Sequence, residues 1–311
     1  MPRAKIQRSM MSDPQANPRL AKPDWLKITH RRADEYRELR LSLREKGLHT
    51  VCEEAACPNL NECWGSRTAT LMVLGDTCTR GCRFCNVKTG HPRGIVDPNE
   101  VENASLMVKM MNLNYLVLTS VDRDDLPDHG AGHFAAIIRR IRQDHPQTKV
   151  EALVPDFAGD PSRMNILVDS APFVVAQNLE TVRRLTHPVR DIRAGYELTL
   201  SCLEFYKAQG MRTKTSLMVG LGETFEELEE AMVDLRRVGV DVLTLGQYLQ
   251  PTKAHLPVQR FYTPQEFTQL KNTAYKKGFA FVAAGPLVRS SYKAADYLTF
   301  LENRATGQEK L

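Results

Sequence analysis

Leu71-Met72-Val73-Leu74-Gly75-Asp76-Thr77-Cys78-Thr79-Arg80-Gly81-Cys82-Arg83-Phe84-Cys85 carries the decision about fold. An apolar, β-rich run from Thr70 to Gly75 passes directly into a loop with three cysteines spaced C-x3-C-x2-C. Reactive groups collect at the C-terminal ends of barrel strands, so a cysteine loop at that place reads as an active-site loop. Outward from it, short apolar runs alternate with segments of helical period. The further runs are Tyr115 to Ser120, Val150 to Val154, Phe173 to Gln177, Thr213 to Gly220, Val240 to Gly246 and Phe279 to Ala284. Such alternation predicts βαβ units and a parallel sheet. Thr224 with Glu227, and Thr263 with Pro264 and Glu266, read as capping boxes opening two of the helices, which stop near Gly239 and Gly278.

Six or seven βα units fall short of the eight in a closed barrel. The expected fold is therefore α/β: an incomplete (β/α)6-type TIM-like barrel with N- and C-terminal extensions, a doubly wound open sheet being the alternative. The expected boundaries are 1–69 for an N-terminal extension, with a helix over Ala33 to Lys46 and then a cysteine-rich loop, 70–284 for the barrel and 285–311 for a C-terminal extension. No uninterrupted apolar run approaches the roughly 18 residues a bilayer span needs. The segment Met1 to Leu20 has no apolar signal core and reads as a flexible arm of a cytoplasmic protein.

Six of the seven cysteines, Cys52 to Cys85, crowd into one short region, and only Cys202 lies apart. That clustering indicates a metal centre, not a disulfide framework. Cys78, Cys82 and Cys85 supply three thiolates, whereas a four-iron cube has four irons; one corner stays open, as in catalytic metal sites. A zinc knuckle is the plainer alternative, but such sites usually pair two C-x-x-C turns and this chain has one. Cys52, Cys57 and Cys63 form a second trio, C-x4-C-x5-C. Cys202 sits among Leu198, Leu200, Leu203 and Phe205 and reads as a buried core residue. Gly81 reads either as letting the loop wrap closely or as an ordinary turn glycine.

The loop Cys78 to Cys85, with Phe84 before its last cysteine, resembles the signature of the radical S-adenosylmethionine superfamily. The second trio, with Ala69-Thr70 leading into the first, is similar to the lipoyl synthase family. The similarity continues through Asp122 to Leu126, Pro155-Asp156-Phe157, Asn178 to Thr181, Gly220 to Thr224 and Gln247 to Pro251, and ends in Gly285 to Tyr292, which contains Arg289-Ser290-Ser291-Tyr292. Gln177, where histidine is common, and Ile192, where proline is frequent, depart from the pattern; neither is a cluster ligand.

This resemblance implies two 4Fe-4S clusters and S-adenosyl-L-methionine. The first trio would hold the cluster that binds S-adenosylmethionine. The second, completed by Ser291 with Ser290 as the alternative, would hold an auxiliary cluster that donates sulfur. A serine oxygen is a harder and weaker ligand for a soft iron-sulfide centre than thiolate, which suits a cluster that comes apart. Asn178 and Glu180 become candidates for the ribose hydroxyls, though a helix cap explains them nearly as well, and Gly220, Gly222 and Glu223 for a wall against the adenine. The implied reaction inserts two sulfur atoms, at C6 and C8 of a protein-bound octanoyl-lysine. Unactivated C–H bonds offer no acidic proton to a general base, so radical chemistry is what such a substrate requires. The implied partners are octanoylated carriers, namely lipoyl domains of 2-oxoacid dehydrogenases and the glycine cleavage H protein, with an electron donor such as ferredoxin or flavodoxin; no membrane or nucleic acid is expected. A net charge of +5 favours an acidic partner without establishing one. Arg123, Arg190, Arg193 and Lys214 are candidates to address a carboxylate or an acidic carrier, but as isolated charges they read as solvated surface. A zinc-stabilised nucleic-acid module, suggested by pI 8.8, would need a concentrated basic patch with aromatic residues for stacking; aromatics make up 7% of the chain and its positive charge is dispersed.

Overall fold

The computed structural model describes residues 20–26, 36–45, 50–54, 57 and 59–306. The arm 1–19 lies outside the described residues, as do both ends of the helix expected over Ala33 to Lys46; its middle, Arg37–Glu45, is helical.

Seven parallel strands follow one another in chain order: β1 (Thr68–Val73), β2 (Tyr115–Ser120), β3 (Lys149–Leu153), β4 (Val174–Ala176), β5 (Thr213–Val219), β6 (Val242–Gln247) and β7 (Phe281–Gly285). Among the described residues no pairing joins β1 to β7, so the sheet curls into a barrel with an open side. The sheet register pairs Thr70 with Val117 and Leu118 with Ala152. Side chains alternate strictly. Leu71, Leu116, Leu118, Ala152 and Val175 join one apolar cluster with the surrounding helices, and Leu217, Val219, Leu243 and Leu245 join a second. The intervening positions line the barrel's interior.

Both expected capping boxes form. Thr224 accepts from the Glu227 amide at 3.2 Å and opens the helix Phe225–Arg237. Thr263 accepts from the Glu266 amide at 3.2 Å and opens Pro264–Lys276. The glycines beyond these helices, Gly239 and Gly278, have φ of 80° and 92°, a left-handed conformation that glycine adopts without strain.

The two mouths of the barrel differ. At the N-terminal ends of the strands, the helix Ala294–Ala305 packs Ala294 against Tyr115 and Val117, and Tyr297 against Val174 and Val242. Inside this end, buried Lys214 bonds Glu151 at 2.7 Å, and the Tyr115 hydroxyl donates to the other Glu151 oxygen at 2.9 Å. Lys214, which as an isolated charge reads as surface, is therefore half of a buried ion pair: Glu151 lies two strands away from it, with β4 between them, a contact that a one-dimensional sequence hides. The C-terminal mouth stays open. The N-terminal segments pack on β1, where Cys52, Leu60, Cys63 and Trp64 join the apolar cluster.

Candidate active site

The loop Thr77 to Thr89 leaves β1 and lies across the C-terminal mouth, where Thr77–Cys78 and Lys88–Thr89 pair as a short parallel ladder. Arg80, only 5% exposed, holds it down. Its guanidinium bonds Asp156 after β3 at 2.8 Å, with a second shorter contact of 2.5 Å, and Asp124 after β2 at 2.9 and 3.1 Å. Burial disfavours the cation, but the hydrogen bonds to Asp156 and Asp124 outweigh it and raise the Arg80 pKa. Three further ties come from other loops. The Gly81 amide donates to Asp191 at 2.8 Å, the Arg83 amide to the Val189 carbonyl at 2.9 Å, and His255 Nε2 lies 3.0 Å from the Cys85 carbonyl. A Cβ on Gly81 would meet nothing nearer than Thr89 Cγ2 at 3.7 Å, so the surrounding protein imposes no close approach there.

Cys78, Cys82 and Cys85 line one open chamber, together with Asn178, Glu180 and Arg190. Burial pushes each of the three thiols up to about 11. Backbone amides of Arg80 and Asp122 point at Cys78 Sγ at 3.4 and 3.3 Å, and that of Asp191 at Cys82 Sγ at 3.3 Å. Amides aimed at sulfur suit a thiolate that carries charge into a metal cluster. A side chamber opens beyond Asn178 and Glu180, walled by Phe84, Leu217, Met218 and Tyr248.

The second trio is assembled from separate pieces. Cys52 sits on the short helix Val51–Glu54, Cys63 on Leu60–Gly65, and Cys57 between them. All three line a narrow cavity with Arg289 and Ser291. Ser290 lines the main chamber and the side chamber instead. The serine-bearing segment is clamped to the trio across the length of the chain. Asn59 Nδ2 donates to the Leu287 carbonyl at 2.7 Å, the Tyr292 hydroxyl to Glu62 at 2.9 Å, and Lys293 pairs with Glu62 at 3.1 Å. Burial pushes Cys63 up to about 12 and raises Cys57 as well. The segment also runs so close over β6 that a Cβ at Gly246 would lie 2.1 Å from the Val288 carbonyl oxygen.

Among the described residues, no three His, Cys, Asp or Glu side chains converge tightly enough for a single metal ion. A four-iron cube carries its ligands on separate corners and needs a wider cradle. The donor sets fit two such cubes: three thiols in the first cavity, leaving a corner free, and three thiols with a hydroxyl in the second.

Other expected site residues fall elsewhere. Gly220, Gly222 and Glu223 are not in the lining of either chamber. Glu223 turns back and accepts from the amides of Gly220 and Leu221 at 2.6 and 2.9 Å, so it braces its own loop. Arg123, 1% exposed, is no surface charge. It bonds Asp125 at 2.8 and 3.0 Å and the Leu74 carbonyl at 3.0 Å, joining the first two strand ends. Arg193 is half exposed and pairs with Asp191 and Asp124. Arg190 donates to Thr199 at 3.0 Å beside the chamber. Cys202 is 1% exposed within Tyr196–Ala208, as expected of a core residue. Sequence reading named Arg80, Arg289 and Thr70 only as parts of motifs and gave none of them a role of its own.

Comparison with known proteins agrees with this geometry. Residues 72–235 match the model of the radical SAM superfamily. A lipoyl synthase of Legionella pneumophila (strain Paris) is 55% identical over 93% of this chain and 88% of its own length. One from Deinococcus radiodurans is 56% identical over 88% of this chain and 83% of its own. In structure, the chain is similar to methylornithine synthase, with TM-score 0.53 and 11% identity over 87% of this chain and 93% of the other, a likeness of fold alone. With identity at this level over nearly its whole length, the chain belongs to the lipoyl synthase family of radical SAM enzymes.

Proposed function

We propose that the chain inserts sulfur at C6 and C8 of an octanoyl group carried on a lysine of a partner protein, and that its two cysteine sites divide the labour. The observation that carries this division is the position of Ser291, which lines both the second trio's cavity and the chamber of the first trio. Cys78, Cys82 and Cys85 would hold the cluster that binds S-adenosylmethionine, and Cys52, Cys57, Cys63 and Ser291 the auxiliary one. When bound, S-adenosylmethionine and its cluster supply a deoxyadenosyl radical that removes hydrogen from an unactivated carbon, and the auxiliary cluster supplies sulfur.

The protein's own residues bind, orient and exclude. Phe84, Leu217, Met218 and Tyr248 offer an apolar chamber for the adenosine, and Asn178 with Glu180 at its threshold suits the ribose hydroxyls. This reading gives the adenine to the side chamber and leaves Gly220, Gly222 and Glu223 the task of shaping the neighbouring loop. Closure of the barrel's N-terminal mouth leaves the open mouth as the approach for the acyl chain. The carriers suited to such a chain are octanoylated lipoyl domains and the glycine cleavage H protein, with ferredoxin or flavodoxin as reductant. Among the described residues no helix is long and apolar enough to cross a membrane, and we place the enzyme in the cytoplasm.

The test is anaerobic reaction of the reconstituted protein with an octanoylated carrier peptide, followed by mass spectrometry. Lipoyl peptide in the wild type, and its loss in Cys57→Ala while deoxyadenosine still forms, are the expected results. Unimpaired lipoyl formation by Cys57→Ala would overturn the division of labour.

A further inference from the structure

We infer that Thr70 is a positioning residue that sets the width of the passage between the main chamber and the second trio's cavity, and so governs whether a chain activated in one reaches sulfur in the other. This rests on the proposed reading of Cys52, Cys57, Cys63 and Ser291 as the sulfur-donor site.

Two residues, Thr70 and Ser291, line both cavities. They stand on different kinds of backbone. Ser291 belongs to the segment after β7, outside any strand or helix. Thr70 is held in the middle of β1, in register with Val117 of β2, and is 5% exposed. Strand β1 runs past both spaces: Thr68 and Ala69 line the trio's cavity, Met72 lines the chamber, and Thr70 stands where they meet. A threonine in a strand has few χ1 states, so its methyl and hydroxyl form a stiff edge. Val51, next to Cys52, lines the chamber beside it.

The chemistry of the substrate makes such an edge consequential. A saturated chain has no polar group by which hydrogen bonds could fix its carbons, so only the shape of the walls can aim it. Displacement by about 1 Å at a reacting centre can cost on the order of 100-fold in rate. Ser291 stands on a segment outside any strand or helix, whereas Thr70 is fixed by the pairing of β1 and defines the strand side of the gap.

The experiment compares wild type, Thr70→Ile and Thr70→Ala, each loaded with both clusters and checked by iron and sulfide content. Isoleucine keeps the β-branch that suits a strand and extends further into the passage. The ratio of thiolated peptide to deoxyadenosine is expected to fall at least tenfold in Thr70→Ile, with deoxyadenosine itself falling far less. The electron paramagnetic resonance signal of the auxiliary cluster gives a readout that does not need turnover: adding octanoylated peptide should perturb it in the wild type and leave it unmoved in Thr70→Ile. A wild-type ratio in Thr70→Ile, a parallel loss of both products, or an equal spectroscopic response overturns the inference. If Thr70→Ile fails to load its clusters, Thr70→Ala decides. The widened passage should lower the ratio about threefold and leave more peptide carrying one sulfur, and a ratio equal to wild type overturns the proposal. Cys57→Ala run alongside separates the two readings. Lipoyl product from that variant defeats the donor site itself, whereas an inert Cys57→Ala beside a normally coupled Thr70→Ile defeats only the passage.

Discussion

The two cysteine trios look alike in sequence and are built in opposite ways. The loop Cys78 to Cys85 is one continuous turn on the end of β1, tied down by Arg80, by the Gly81 amide on Asp191 and by His255 at the Cys85 carbonyl. The cavity of Cys52, Cys57 and Cys63 is closed only when Asn59 meets Leu287, 228 residues further along the chain. The first site is a local structure that the barrel stabilises, whereas the second is a junction between distant parts of the chain. Separation itself costs little, because each doubling of loop length adds only about 0.6 kcal/mol of closure entropy. What the junction needs is accurate docking of the segment that bears Ser291.

The comparison can be broken most severely at the first trio. Replacing Cys78, Cys82 or Cys85 with alanine should reduce deoxyadenosine formation by more than 100-fold, measured by chromatography, since each change removes a thiolate from the loop with one open corner. Normal yield from any of the three would dissolve the distinction between the sites. Arg80→Met comes next. It leaves buried Asp156 without its cation and partly buried Asp124 with Arg193 alone, a loss on the order of 3–5 kcal/mol for a broken buried pair. Urea unfolding should show the drop, with Arg80→Lys recovering part of it; equal stability of Arg80→Met and wild type would mean the clamp is idle.

At the second site the expected effects are smaller and selective. Gly246→Ala forces the Val288 carbonyl outward and should cost about 1–3 kcal/mol by overpacking. Thiolated product should fall more than deoxyadenosine, because the displaced segment carries Ser291; loss of both in proportion would argue that the segment serves the whole barrel. Ser291→Cys should retain iron yet slow lipoyl formation, since thiolate holds iron more firmly than a hydroxyl does. Faster turnover would contradict a role for ligand release. Mildest of all, Lys293→Ala removes one half-exposed ion pair with Glu62. A change in melting stability of about 0–1 kcal/mol is expected, and a larger one would show that the clamp depends on charge.

How far sequence reading reached follows the same division between local and distant contacts. The strands were legible because alternation and capping are local, and Tyr115–Ser120 agrees with its expected limits at both ends. The strand that leads into the first trio begins two residues earlier than expected, at Thr68. Spacing alone picked out both trios. The partners of Arg80 and Lys214 were not legible, because each buried cation is neutralised by carboxylates whose proximity depends on the fold, whereas Arg123 pairs with Asp125 only two residues along and it is its burial that the sequence hides. Gly220 to Glu223 show a related effect of the fold. A glycine-rich turn after a strand suggests nucleotide contact, but here Glu223 uses the turn's amides for itself. The sealing of the N-terminal mouth by Ala294–Ala305 had no sequence signature beyond an ordinary helical period.

The long reach between Cys63 and Ser291 also sets an order of events during synthesis. At about 5–20 residues per second, the trio waits on the order of 10–50 s after it is made before Ser291 is polymerised. Through that interval Cys52, Cys57 and Cys63 exist without the strand ends and the clamp that later bury them, as thiols open to oxidation or to stray metal. The cavity, with its hydroxyl in place, can form only after the barrel has been made. A cell making this protein must therefore keep that cysteine segment reduced for most of a translation cycle, and installation of the second cluster belongs after the chain is essentially finished.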